Sequence, residues 1–180
     1  MGLTYDALAP DLTGWISRQH VFFVATAPGG AEGHVNVSPK GYDTFRVLSP
    51  TEVAYLDLTG SGVETIAHLR QDGRITIMFC AFEGGPRIVR LYGRGAVATP
   101  GDARFDELVD LFERRPGIRS VITVRLERIS SSCGYSLPFL AYQGERPTLD
   151  EWAERRGADG IAAYQAERNR ESIDGLPALG

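Results

Sequence analysis

The chain has 180 residues, 43% of them hydrophobic and 23% charged, with a net charge of −4 at neutral pH. That length suffices for one good core, so 1–180 reads as a single domain, with a core over about 15–140 and a helical tail over 148–180. The acidic balance excludes a basic nucleic-acid footprint, and no apolar run approaches the roughly 20 residues of a membrane span, so a cytoplasmic protein without membrane or nucleic-acid partners is expected.

In chain order, Leu8, Leu12, Trp15 and Ile16 fall at helical spacing and predict an amphipathic helix over Ala7–Gln19. His20–Ala27 is a β-rich run that ends at the turn Pro28-Gly29-Gly30. His34–Gly41 alternates, with Val35 and Val37 on one face and Asn36 and Ser38 on the other. Pro39 cannot donate to a ladder, so this strand ends or lies at an edge there. Lys40 follows, and it is the only lysine among the 19 basic residues. An ammonium is a compact point charge where a guanidinium is a wide fork, so a tight phosphate or ring-edge site favours lysine. The polar face of the segment is either a functional surface or a solvated hairpin face.

Thr44–Leu48 and Val53–Leu58 read as strands joined by a proline turn. Thr59-Gly60-Ser61-Gly62 then leads into a helix from Val63, with Ile66 and Leu69 on one face. Ser61 and Glu64 have the spacing of a capping box, which makes Ser61 the expected N-cap. A helix start carries unpaired N–H groups and the positive end of the macrodipole, and glycines permit close approach, so the stretch suits a phosphate. The same string also serves as an ordinary strand-to-helix connection.

Arg74–Phe82 is apolar on both faces except near its start, the pattern of a strand covered on two sides. Arg87–Ala98 returns as a strand in which Gly93 and Gly95 mark a bulge or bend. Thr99-Pro100-Gly101-Asp102 opens a further helix, and Ile118–Ile129 is the last strong strand. Ser130–Pro138 has no periodicity and reads as a loop containing Cys133 and Tyr135. Thr148 starts a helix, Ala158–Arg170 makes another, and Glu171–Gly180 reads as frayed. About six strands with turns between them, and helices inserted rather than alternating, predict an antiparallel barrel with flanking helices. Cys80 and Cys133 form no C-x-x-C pair, and His20, His34 and His68 lack ligand spacing, so neither a disulfide nor a metal site is expected.

Val35–Gly41, Leu56–Thr65, Arg74–Phe79, Arg87–Gly93 and Ser132–Pro138 together resemble the FMN-binding split-barrel proteins related to pyridoxamine 5′-phosphate oxidase, over about residues 15–140 in the same order. The resemblance implies a β-rich, mainly antiparallel, six-stranded split β-barrel, a homodimer, and one FMN in each of two clefts at the subunit interface. It implies that Lys40, Thr59, Gly60, Ser61, Gly62 and Thr65 hold the flavin phosphate, while Asn36, Ser38 and the backbone around Asp57 face the ring. Arg87 either adds charge for the phosphate or pairs with Glu83 at its strand end. Cys133 and Tyr135 would lie on the substrate side as candidate proton donors, although a lone thiol or phenol in a loop more often packs than catalyses.

Two departures bear on the reaction. Val35-Asn36-Val37 stands where the vitamin oxidase carries an arginine-led motif, and Leu176–Gly180 ends without its substrate-gripping segment rich in Arg, His and Trp. The expected function is therefore that of an FMN-dependent oxidoreductase acting on a small molecule other than pyridoxamine phosphate. A deazaflavin-dependent reductase and a non-catalytic flavin- or haem-binding protein are the alternatives.

Overall fold

A computed structural model describes residues 2–179. Its strands are β1 (Leu3–Tyr5), β2 (Phe22–Thr26), β3 (Asn36–Lys40), β4 (Phe45–Ser49), β5 (Glu52–Leu58), β6 (Arg74–Cys80), β7 (Ile88–Ala98) and β8 (Ile118–Ser132). They form one sheet in the order β3-β2-β6-β7-β8-β5-β4, with β1 added on β8 and neighbours antiparallel. Helices α1 (Pro10–Ile16), α2 (Glu64–Gln71), α3 (Ala103–Val109) and α4 (Thr148–Arg168) flank it. The antiparallel, helix-flanked architecture is as expected; its eight strands, against about six, are the seven runs read in the sequence and β1. β1 is three residues long, too short to leave a period in the sequence.

Alternation builds the core. Phe22 and Val24 of β2, Ile75, Ile77 and Phe79 of β6, and Val53 and Tyr55 of β5 share one buried cluster. Ala54 and Leu56 point the other way, into a second cluster made with Phe105, Leu108 and Val109 of α3. Phe22 stands edge-on to Phe45 and Tyr55 at 5.4 and 5.7 Å, so the sheet curls until its two ends face each other. Within one chain the strand buried on both faces is thus β5; the cover expected on the second face of β6 is one that a dimer partner would supply. On β6, Thr76 and Met78 remain partly exposed because no helix of this chain covers them.

β3 is an edge strand, which accommodates Pro39. Its polar residues Asn36, Ser38 and Lys40 are half-buried, whereas Val35 and Val37 are 71% and 61% exposed. The ladder between β7 and β8 shifts register between Tyr92 and Gly93. A Cβ at Gly93 would sit 2.1 Å from the Arg125 carbonyl oxygen, so only glycine fits that bulge.

Gly157, at φ 65°, divides α4 into two helical pieces. The segment beyond α4 is not frayed. Residues 169–179 fold back as a hook in which Asn169, Ser172 and Ala178 are buried. The Asp174 carboxylate accepts hydrogen bonds from the His34 backbone and ring at 2.8 and 2.6 Å, and Arg70 donates to the Ala178 carbonyl. Gly180 lies outside the described residues. Among the described residues, no helix is long and apolar enough to cross a membrane.

Candidate functional site

β5 delivers Asp57 to an interior position where it is 1% exposed. An unpaired carboxylate there would be strongly unfavourable. Lys40 Nζ supplies one oxygen at 3.1 Å, while Arg119 Nε at 2.8 Å and Ser120 Oγ at 3.2 Å supply the other. Arg119 and Ser120 arrive because β8 pairs with β5 in the register Asp57↔Ser120. Burial pushes the Asp57 carboxyl up, but the charges of Lys40 and Arg119 outweigh it and hold the pKa at about 2. Asp57 is therefore ionised, and Lys40 links edge strand β3 to β5 across the split in the sheet.

The loop after β5 is tied down from its inner side. The Thr59 amide and hydroxyl both donate to the Gly117 carbonyl at 2.8 Å, and Gln165 Nε2 donates to Thr59 Oγ1 at 2.7 Å. Asn169 Nδ2 donates to the Gly60 carbonyl at 3.0 Å and reaches that of Ser61 at 3.5 Å. Arg119 Nη1 donates to the Gly62 carbonyl at 2.8 Å and to Asn169 Oδ1 at 3.0 Å. In a trans peptide the carbonyl and the next N–H point opposite ways, so carbonyls held inward turn the amides of Ser61, Gly62 and Val63 outward. Among the described residues these amides find no acceptor. Ser61 is exposed, and a Cβ at Gly60 would meet nothing within 4 Å. Successive outward amides at a helix start form an anion cradle.

The cradle is not built by the capping box. α2 begins at Glu64 with Val63 at the N-cap and no side-chain cap bond. Glu64 instead accepts from the amide of Ile173 in the hook at 3.4 Å. Ser61 is thus a loop residue with a free hydroxyl rather than a cap.

A second polar group lies beside α2. Ser38 Oγ donates to Asn36 Oδ1 at 3.1 Å, and Asn36 Nδ2 donates to Thr65 Oγ1 at 3.1 Å. Asn36 also reaches Thr26 Oγ1, which shares a 3.0 Å hydrogen bond with His68 Nδ1. His68 is fully buried, and burial lowers its pKa, so the ring is neutral at neutral pH.

The structure therefore brings Lys40, Asp57, Thr59, Gly60, Ser61 and Gly62 to one corner and joins Asn36, Ser38 and Thr65 beside it. It does not bring Arg87, Cys133 or Tyr135 there. Arg87 donates to Ser131 Oγ at 3.2 Å and lies over the Trp15 ring at 5.4 Å, with Glu83 engaged elsewhere. Cys133 is exposed and Tyr135 is 84% exposed. Arg119, Ser120, Gln165 and Asn169 escape a reading of the sequence. Only Arg119 left a trace there, as a charge inside an apolar strand.

A family model described as pyridoxamine 5′-phosphate oxidase matches residues 8–133. The pyridoxamine 5′-phosphate oxidase family protein ustO of Aspergillus flavus is 40% identical over 198 residues, covering 99% of this chain and 78% of that protein. This chain belongs to the pyridoxamine 5′-phosphate oxidase family. Solved structures similar to it include HupZ of Group A Streptococcus, with a TM-score of 0.52 at 22% identity over 68% of this chain and 91% of that one. A protein assigned as a pyridoxamine 5′-phosphate oxidase from Lactobacillus delbrueckii gives 0.54 at 18% identity over 71% and 97%. The FAD binding protein of Mycobacterium smegmatis gives 0.50 at 12% identity over 71% and 97%. At these identities the likeness is one of fold. Arg119 falls inside the span matched by the pyridoxamine 5′-phosphate oxidase family, whereas Gln165 and Asn169 lie beyond it.

Proposed function

We propose that this chain binds FMN, its phosphate at the corner of Lys40 and residues 59–62, and acts as a homodimeric flavin-dependent oxidoreductase on a small molecule other than pyridoxamine 5′-phosphate. The observation that carries the reading is the row of outward amides at Ser61, Gly62 and Val63, fixed by carbonyls that Asn169 and Arg119 hold inward. A phosphate needs N–H donors and cationic partners. The corner supplies both: the cradle, the Ser61 hydroxyl, the N–H groups of Lys40 not given to Asp57, and the charges of Lys40 and Arg119 set against those of Asp57 and of Glu64, whose Oε2 lies 2.5 Å from where a Cβ on Gly62 would stand.

Asn36 and Ser38 would face the flavin ring, in orientations set by Thr65 and Thr26. When bound, the flavin supplies hydride or one-electron transfer, and the protein binds, orients and shields it. The name of the Mycobacterium smegmatis relative supports a flavin, and the resemblance at Lys40 and Ser61 favours FMN. Exposed Val35, just before edge strand β3, and Val37 on it offer the apolar face a second copy would cover. Arg87, Cys133 and Tyr135 are outside their own chain's corner; in a shared cleft they serve the other one. Val35-Asn36-Val37, in place of an arginine-led strand, argues against pyridoxamine phosphate as substrate.

Mass spectrometry and absorption of the purified protein test the reading. A co-purifying species with the mass and bands of FMN, bleached by a nicotinamide donor, is the expected result. A colourless protein that takes up deazaflavin but not FMN, or one with a Soret band, would replace the cofactor. A flavoprotein that no donor reduces would be a carrier.

A further inference from the structure

Past Gly41, the end of α1, the turn after β6 and residues 140–146 line a cleft of about 760 Å3. That volume is in the range of small-molecule sites. Trp15, His20, Tyr42, Phe82 and Tyr142 give it aromatic walls. The Tyr142 ring lies flat on that of His20, with centroids 3.6 Å apart and planes 4° from parallel.

The covering segment is anchored. Leu140 N donates to the Phe82 carbonyl at 3.1 Å, Tyr142 N to Glu83 Oε1 at 2.8 Å, and the Tyr142 hydroxyl to Glu145 Oε1 at 2.9 Å. From the opposite wall, Tyr42 donates its amide to Glu145 Oε2 at 3.3 Å and its hydroxyl to the Arg146 carbonyl at 2.7 Å. Tyr42 does so at φ 57°, a left-handed conformation uncommon for a bulky residue and found mostly at functional or over-determined sites.

The hydrogen-bonding groups at the rim point to one kind of ligand. Both lining carboxylates are engaged with the segment: Glu145 through each oxygen and Glu83 through the Tyr142 amide. Two guanidiniums, Arg18 and Arg146, line the same cavity. Among the described residues neither has an acidic partner; Arg18 donates to the Gly14 carbonyl, and the Arg146 side chain donates to nothing. Glu83 keeps one oxygen without a partner, whereas two whole guanidiniums lack a counter-charge, so the rim still takes an anion, and the walls ask for a flat ring.

We propose that this cleft binds a planar aromatic acid, its ring against the His20–Tyr142 pair and Trp15 and its carboxylate toward Arg18 and Arg146. Because Gly41 and Tyr42 directly follow Lys40, the acid bound here is the substrate class of the flavoprotein; that last step rests on the flavin reading, whereas the binding does not.

Calorimetric titration of the purified protein with 2-naphthoate and with neutral 2-naphthamide tests it, before and after removal of bound flavin. One naphthoate per chain is expected, with naphthamide at least tenfold weaker. Arg18→Ala/Arg146→Ala should weaken naphthoate tenfold or more and leave naphthamide and the melting temperature unchanged, since both side chains are exposed. His20→Ala should weaken both probes. Equal affinity for acid and amide, naphthoate binding unaffected by loss of the arginines, or no saturable binding would overturn the proposal. Displacement of FMN by naphthoate would also overturn it, because the cleft would then be the cofactor's. Undiminished naphthoate binding by a protein that never holds flavin would uphold the site while removing the flavin reading.

Discussion

The side-chain amide of Asn169 donates to the Gly60 carbonyl at 3.0 Å, across 109 positions of sequence. Through its other atom the same side chain accepts from Arg119, which in turn holds Asp57 and the Gly62 carbonyl. Asn169 thus holds two of three consecutive carbonyls directly, and it braces Arg119, which holds the third. The electrostatics of the corner depend on which way these peptides face, since flipping any one of them would put a carbonyl where an N–H now points.

Asn169→Ala should raise the FMN dissociation constant about tenfold. It should also cost about 1–3 kcal/mol of stability, from the buried carbonyl and guanidinium donors left unpaired. Asn169→Asp separates the two effects. It keeps an acceptor for Arg119 but loses the donor to Gly60, so stability should be partly retained while flavin binding stays weak. Flavin titration of the apoprotein and thermal melting check both; wild-type affinity in either variant would detach the loop orientation from the cofactor.

Lys40 and Asp57 should respond differently although they touch. Asp57→Asn leaves two cations facing a neutral amide in a buried site, and removing one partner of such a pair costs about 3–5 kcal/mol. Lys40→Ala leaves Asp57 with Arg119 and Ser120, so its stability cost should be smaller and its effect on flavin retention larger. Ser61→Ala, at an exposed residue, should lower retention with no change in melting temperature. Equal flavin loading in Lys40→Ala, Ser61→Ala and wild type would remove both residues from the site.

The range of each signal decides how much of this corner was legible in the sequence. The apolar run over Val53–Leu58 and the break at Thr59–Gly62 are local, and the strand, the loop and the helix after them lie where those signals put them. The S-x-x-E pattern is local too, yet it misassigned Ser61, because Arg119 and Asn169 determine the loop and Glu64 is drawn to the amide of Ile173. Residues 171–179 lacked periodicity because polar contacts hold them, His34 to Asp174 above all, and those leave no period to read. Asp57 was legible only through the resemblance, as backbone facing the ring, and its buried charge was not read. Which guanidinium met it depended on pairing β5 with β8, a register no single strand encodes.

Acid should remove stability in two stages. The folded-state pKa of His68 lies below its ordinary 6.5, so its contribution is complete above that value and is lost as pH falls below it, when the buried ring must take up a proton. Asp57 has a folded-state value of about 2 against an ordinary 3.8, so its contribution is complete above 3.8 and disappears as pH falls toward 2. Urea unfolding across pH 8 to 2 should show both slopes, and His68→Gln should flatten the first alone. A wild-type profile in which no slope sets in below pH 6.5 ahead of the carboxylates would mean that His68 is not held neutral.

The apolar residues of β3 point outward, and they supply the test of assembly. Val37 is 61% exposed on an edge strand, while its neighbours Asn36 and Ser38 turn inward to the candidate ring site. Covering a valine stabilises by about 1.5–3 kcal/mol, and placing a charge there instead blocks edge-to-edge approach. Val37→Asp should therefore shift the protein toward monomer in light scattering and lower flavin loading in parallel, with the far-ultraviolet spectrum unchanged. The mutated side chain does not touch Lys40, Thr65 or the cradle within its own chain, so loss of flavin together with the dimer would assign the missing wall of the cleft to a second copy. A wild-type monomer carrying stoichiometric FMN, or a Val37→Asp dimer with full loading, would refute the shared cleft and leave the corner of Lys40 and residues 59–62 to hold the cofactor alone.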